Sequence, residues 1–151
     1  MATEIVIDLG GSIARMEDIE RNLRDLGPLY AEITEIMLSD ISQHFEDEKG
    51  PDGPWEDLAP STKEQRRKKG HWPGKKLQVQ SRGSGLLGSL QPMHDNESAA
   101  VTTNKIYAAI HHLGGPAGRG KKVNIPARPF MYLSTDAEDE IRDAAEFHIL
   151  K

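Results

Sequence analysis

A chain of 151 residues with 36% apolar and 28% charged side chains, a net charge of −5 and no cysteine can bury about 70% of the surface its unfolded form exposes, so a single domain spanning 1–151 is expected. The composition excludes a wholly disordered chain, and the lack of cysteine excludes disulfides and thiolate chemistry, which suits a reducing compartment. The first residues have no basic stretch leading into an apolar run, and no run is long enough to span a bilayer, so neither a secretory leader nor a membrane anchor is expected.

The modest net charge conceals a division along the chain. Residues 1–58 hold fifteen acids and four bases, net −11, whereas residues 61–82 hold eight bases and one acid, net +7. Opposed blocks of this kind fit two uses: attraction of a polyanion, or head-to-tail contact between copies of one protein.

Ile5, Ile7 and Leu9 alternate with Glu4, Val6 and Asp8, the period of a half-buried strand, and Gly10-Gly11 closes it. Ser12 is placed to cap a helix in which Ile13, Met16, Ile19, Leu23 and Leu26 recur every three or four residues until Gly27-Pro28. From Pro28, an apt first helical residue, a second stripe of Leu29, Ile33, Ile36, Met37, Ile41 and Phe45 predicts a longer helix ending near Lys49-Gly50. Gly50-Pro51-Asp52-Gly53-Pro54 cannot continue that helix, since prolines lack donors and glycines favour turns. Trp55 and Leu58 follow at once and are read as side chains that pin the turn to the core. Ser61-Thr62-Lys63-Glu64 has the form of a capping box for a short helix bearing Arg66, Arg67, Lys68 and Lys69, ended by Gly70.

Residues 70–85, rich in glycine and serine, read as a long mobile loop. Residues 86–93 and 99–104 flank the turn-forming Asp95-Asn96-Glu97 and predict an antiparallel hairpin. Residues 105–113 fit a short helix or turn, 114–122 a glycine and lysine loop, 123–125 a brief strand, and 130–133 a return to the sheet. Thr135-Asp136-Ala137-Glu138 is a second capping box, opening a helix with Ala137, Ile141, Ala144, Ala145 and Ile149 on its apolar face. The class that follows is α+β: an antiparallel sheet of about four strands packed with two N-terminal helices and one C-terminal helix, with long mobile loops.

Catalytic patterns are missing from this sequence. His111 and His112 are adjacent and project in different directions on any regular backbone, so they do not make a metal pair; His111 is placed instead to pack beside Tyr107, four residues earlier. Gly83-Ser84-Gly85 lacks the fuller nucleophile-elbow pattern, and Gly114-Gly115-Pro116-Ala117-Gly118-Arg119-Gly120-Lys121-Lys122 lacks the spacing of a phosphate loop. No catalytic residue, metal ligand or cofactor is assigned. The basic residues Arg66, Arg67, Lys68, Lys69, Arg119, Lys121 and Lys122 are candidate contacts to another subunit or partner. Arg128, held between Pro126-Ala127 and Pro129-Phe130, fits either an internal salt bridge that orients a strand or a subunit contact made by a rigidly presented guanidinium.

The order Phe45, Pro51-Asp52-Gly53-x-Trp55-x-x-Leu58, Ser61-Thr62, Leu86-x-x-Ser89, Tyr107-Ala108-x-Ile110-His111, Gly114-Gly115 and Pro126-Ala127-Arg128-Pro129-Phe130 spans nearly the whole chain. It resembles the phage virion morphogenesis family of Mu-like and related contractile-tailed phages. Two departures stand out: Ser81-Arg82-Gly83-Ser84-Gly85 replaces an acidic residue, threonine and glycine before the Leu-x-x-Ser element, and His112 replaces glutamine. The resemblance implies a non-enzymatic assembly protein for tail completion or head–tail joining, found in the virion and, during assembly, in the host cytoplasm. It implies an oligomeric ring, a hexamer by analogy to tail-end rings, and neck, tail or head proteins as partners. The alternatives are a capsid assembly factor, or a neck protein whose basic 63–82 segment contacts DNA.

Overall fold

The computed structural model describes residues 8–78 and 85–151. Ile5 and Ile7 of the expected first strand, and residues 79–84 of the expected long loop with Arg82 among them, lie outside the described residues. Leu9 belongs to the start of a helix instead of a strand. Helix α1 (Gly10–Arg24) begins two residues before Ser12, because the Asp8 carboxylate accepts the Gly10 N–H at 2.9 Å and so takes the capping role expected of Ser12. The stripe predicted to enter the core does not: Ile13, Met16 and Leu23 are exposed, while Ile19 and Leu26 are half-buried.

Helix α2 (Gly27–Asp47) is the axis of the molecule and, at about 1.5 Å per residue, some 30 Å long. Its first turn is capped from a distance, for the Asn96 side chain accepts the N–H groups of Leu26 and Gly27 at 2.7 and 2.8 Å. At its other end Glu48 adopts a left-handed conformation, φ 53°, and gives its N–H to the His44 carbonyl. The stripe of α2 serves two cores. Leu29 and Ile36 pack on Ala137 and Ala144 of the C-terminal helix, whereas Ile41 and Phe45 join Trp55, Leu77, Leu86, Leu90, Val101, Ala108 and Phe130.

After α2 come strands β1 (Lys49–Gly50) and β2 (Gly53–Pro54), which close the predicted turn as a minimal antiparallel ribbon. Helix α3 (Pro60–Lys68) carries the basic side chains. A 3-10 turn (Leu87–Ser89) then leads into β3 (Leu90–His94), paired with β4 (Ala99–Thr103) in the expected hairpin. The Asp95 carboxylate fixes its tip by accepting the N–H groups of Glu97 and Ser98 at 2.8 and 2.7 Å. Helix α4 (Ala108–Leu113) follows, then β5 (Gly115–Ala117) and β6 (Val123–Ile125), which pair across a glycine-rich tip.

The chain is α+β as expected, but its strands do not form one sheet. Among the described residues three two-stranded ribbons stand apart, because most of the strands are only two or three residues long and α2 packs against β1, β3 and β4. Residues 130–133 do not return to a sheet. Their backbone groups are taken by side chains: His112 accepts the N–H of Phe130, and His44 donates to the Phe130 carbonyl at 3.0 Å. No helix among the described residues is long and apolar enough to cross a membrane.

Helix α5 (Thr135–Leu150) lies antiparallel to α2, since it starts against Asp40 and ends with His148 bonded to the Asp25 carbonyl at 3.1 Å. Ser134, not Thr135, is its cap. The Ser134 hydroxyl accepts the Ala137 N–H and donates to Asp40 at 2.7 Å, while the Ser134 N–H donates to the other Asp40 oxygen at 2.9 Å. Its predicted apolar face is the one that packs. Helix α1 joins this end, where the Asn22 amide donates to the Ile149 carbonyl at 3.1 Å. Asp40→Ala strips both bonds from the helix cap and should lower unfolding free energy by about 1–3 kcal/mol in a urea titration. Asp136→Asn, an exposed first-turn change, should cost well under 1 kcal/mol.

Candidate assembly surfaces

The motif residues that lie far apart in sequence converge at the C-terminal end of α2. Phe45 and Phe130 are completely buried, with ring centroids 5.2 Å apart, and Trp55 meets Phe45 edge-on at 5.7 Å. Burying each ring stabilises the fold by roughly 2–3 kcal/mol. The polar edge of Trp55 is used too, its indole N–H donating to the Pro129 carbonyl at 2.9 Å. The Gly50 backbone passes close to this contact, for an added Cβ would lie 3.4 Å from Pro129 and from the indole nitrogen.

Arg128 stitches the segment in place. Its guanidinium donates to the carbonyls of Glu56 and Asp57 at 2.9 and 3.0 Å, and its backbone N–H donates to the His111 carbonyl at 2.8 Å. At 3% exposure it faces the interior. Neither expectation for Arg128 holds as stated, because its partners are backbone carbonyls in its own chain instead of a carboxylate or a second subunit. Glu56, Asp57 and Glu48 nearby offset the cost of burying its charge. Gly114 is obligatory at this crossing: with φ 72°, an added Cβ would sit 2.6 Å from the Ala127 nitrogen and 2.9 Å from the Ile125 carbonyl. Tyr107 packs edge-on to His111 at 5.8 Å, the pairing expected from their spacing.

Arg66 is likewise buried, donating to the carbonyls of Lys75 and Lys76 at 2.8 and 2.6 Å. It holds the following loop against α3 and so leaves the set of outward contacts. Arg67 and Lys68 share Glu64 on the exposed side of α3, at 2.7 and 3.8 Å, and Lys69 is exposed beyond them. Arg119, Lys121 and Lys122 are exposed together at the tip between β5 and β6, where Gly118, Gly120 and Lys121 all have positive φ. The tight tip aims three cations outward on a short ribbon.

Sequence patterns missed the contacts that span the chain. Asn96 capping α2, Asp40 capping α5 and the left-handed Glu48, whose carboxylate accepts the Lys76 N–H, have no local signature. The exposed Phe147 and Leu150 could have been found, since they fall off the Ala137, Ile141, Ala144 face of their helix. Among the described residues no three His, Asp or Glu side chains converge as a metal-binding set. Ser134, Asp40 and His44 are neighbours, but the serine bonds to the aspartate rather than to the imidazole, whose Nε2 lies 3.4 Å from Asp40; this order does not activate the hydroxyl.

Arg128→Met should cost on the order of 3 kcal/mol, because two buried carbonyls lose a charged donor; the expected readout is a lower urea midpoint with an unchanged slope. Burial holds the His112 imidazole below its ordinary value of 6.5, and burial together with Arg128 and Arg66 does the same for His111. Both are favoured neutral in the fold, while the unfolded chain takes up protons as the pH falls through about 6.5. Stability is therefore full above that value and declines below it. His112 Nδ1 accepts the N–H groups of Phe130 and Met131 at 3.2 and 3.3 Å, which protonation there would abolish. Unfolding temperature should drop between pH 7 and 5, and His112→Gln, which retains an acceptor, should flatten that dependence.

No solved structure matches the chain. Over 111 residues it is 35% identical to the putative capsid assembly protein G of Escherichia phage Mu, covering 72% of this chain and 69% of that protein. It is 33% identical to Mu-like prophage FluMu G protein 1 of Haemophilus influenzae over 108 residues, 71% of this chain and 68% of that one. A shorter stretch of 56 residues is 52% identical to FluMu G protein 2 of the same organism, spanning 37% of this chain and 41% of the relative. The model of the phage virion morphogenesis family matches residues 13–149, which takes in both cores and every motif residue of the Arg128 joint. The chain belongs to the phage virion morphogenesis family, and its role is structural, in phage assembly.

Proposed function

We propose that this protein completes the tail or joins tail to head in a phage or prophage particle, acting by binding and not by catalysis. The observation that carries this reading is the Arg128 joint. It commits the most deeply buried side chains to holding irregular backbone, and the segments it holds display cations outward on α3 and on the β5–β6 tip. A rigid support for exposed charge fits a docking component. Copies of the chain form a closed ring, six by analogy to tail-end rings, that contacts neck, tail or head proteins. The protein resides in the virion, and in the host cytoplasm while particles are built.

A second reading is capsid assembly, favoured by the name of the phage Mu relative. A third is direct DNA contact through Arg67, Lys68 and Lys69, since exposed cations on a short helix also suit phosphates. Particles produced without the protein separate the first two. Filled heads beside unjoined tails are the expected result, seen by electron microscopy of the lysate, whereas misshapen or unfilled heads would transfer the role to the capsid. Failure of the purified protein to be retained on nonspecific DNA at low salt removes the third.

A further inference from the structure

Helix α5 has an outer stripe that its own chain does not cover. Asp143, Glu146, Phe147 and Leu150 recur at three- and four-residue spacing on the side away from Ala137, Ala144 and His148. Phe147 is 72% exposed, and together with Leu150 it lines a shallow surface groove beside the two acids and Lys151. An aromatic ring left in water on an ordered helix marks a contact surface when charges frame it. The helix as a whole holds six acids and one arginine, net −5.

The other end of the molecule has the reverse character. Leaving out the buried Arg128, residues 104–127 hold four bases and no acid, net +4. Val123 is 60% and Leu113 74% exposed there, next to Arg119, Lys121 and Lys122 on the β5–β6 tip. The two patches attach at opposite ends of α2: the last turn of α5 is tied to Asp25, just before α2, while β5 and β6 hang from the joint built on Phe45 near its end. Each patch pairs exposed apolar side chains with a predominance of one sign of charge, Lys151 being the one cation beside the acids of α5, and the prevailing signs are opposite.

We propose that the outer stripe of α5 is the docking site for the cationic β5–β6 ribbon of a second copy of this chain. Phe147 and Leu150 receive Val123, and Asp143 and Glu146 face Arg119, Lys121 and Lys122. Because the two patches differ, the contact is head to tail. Such a contact propagates and closes into a ring when the rotation between copies permits. This assignment rests on the ring reading above and specifies its surfaces.

The test measures self-association by analytical ultracentrifugation at about 0.15 M salt. Wild type is expected to associate, and three variants, Phe147→Ser, Asp143→Lys with Glu146→Lys, and Lys121→Glu with Lys122→Glu, should each weaken association at least tenfold. All these positions are exposed, so unfolding temperatures should match wild type, which separates lost docking from lost folding. Mixing the two charge-reversed variants should give at least tenfold tighter association than either alone, since the reversed faces then complement each other. Wild-type association that none of the variants alters overturns the assignment while leaving a ring intact. A wild type that stays monomeric at every concentration overturns both. If the ribbon variant loses only retention on DNA, or Phe147→Ser loses only incorporation into particles, the patch serves nucleic acid or another phage protein and the assignment also fails.

Discussion

Three stretches of chain meet at Arg128, and two of them, residues 56–57 and 126–129, are irregular backbone while the third is the end of helix α4. The guanidinium spans to the 56–57 segment, the backbone N–H reaches the end of α4, and Pro129 presents its carbonyl to Trp55. Buried irregular backbone is costly unless each carbonyl and N–H finds a partner, and here the partners are supplied by arginine, tryptophan and histidine side chains. A neutral residue at 128 could fill the volume but not supply two donors in a fixed fork. The aromatic cluster around Phe45 supplies the apolar stabilisation, and the arginine dictates which arrangement of the loops accompanies it.

That constraint explains the form of the molecule. Because the backbone groups of residues 129–131 bond to side chains, this segment does not extend a sheet, and the strands of the described residues remain short two-stranded ribbons, of which β1 and the β3–β4 hairpin pack on α2. The ends of α2 and α5 are stitched in the same manner, by Asn96 and by Asp40 with Ser134. Among the described residues five helices and three ribbons thus hold together with little sheet hydrogen bonding, through side chains bonded to backbone across long sequence separations. For an assembly protein this has a consequence. The charged tip between β5 and β6 rests on a fixed base, so less conformational freedom is lost when it docks.

The charge blocks become interpretable in the same frame. Arg66 and Arg128 are internal donors, which reduces the candidate basic contacts to Arg67, Lys68 and Lys69 on α3 and the three cations of the ribbon tip. Acids dominate α2 and α5. An acidic half and a basic half of one compact molecule, each with uncovered apolar side chains, favour ordered contacts between unlike faces over symmetric ones, in which like charges would meet.

Local sequence determined α2, α5, α3 and the 90–103 hairpin, because apolar period, turn residues and breakers act within a few positions and tertiary contacts reinforced them. It also marked the joint's residues, since Gly114 and the prolines of 126–129 suit backbone that turns sharply or passes closely. Family membership was legible for that reason: its motif is a list of irregular-backbone requirements. The helix starts differ from the sequence expectation by up to three residues: α1 has Leu9 at its N-cap instead of Ser12, with Asp8 accepting the Gly10 N–H, and α5 has Ser134 instead of Thr135. What only the tertiary structure decided is which polar groups pair across the chain. Arg66 and Arg128 look like surface cations in a string of letters, and the stripe of α1 looks like core. Burial depends on what the distant segments leave uncovered, and that is a property of the folded arrangement, whereas propensity and backbone geometry are properties of the residues themselves.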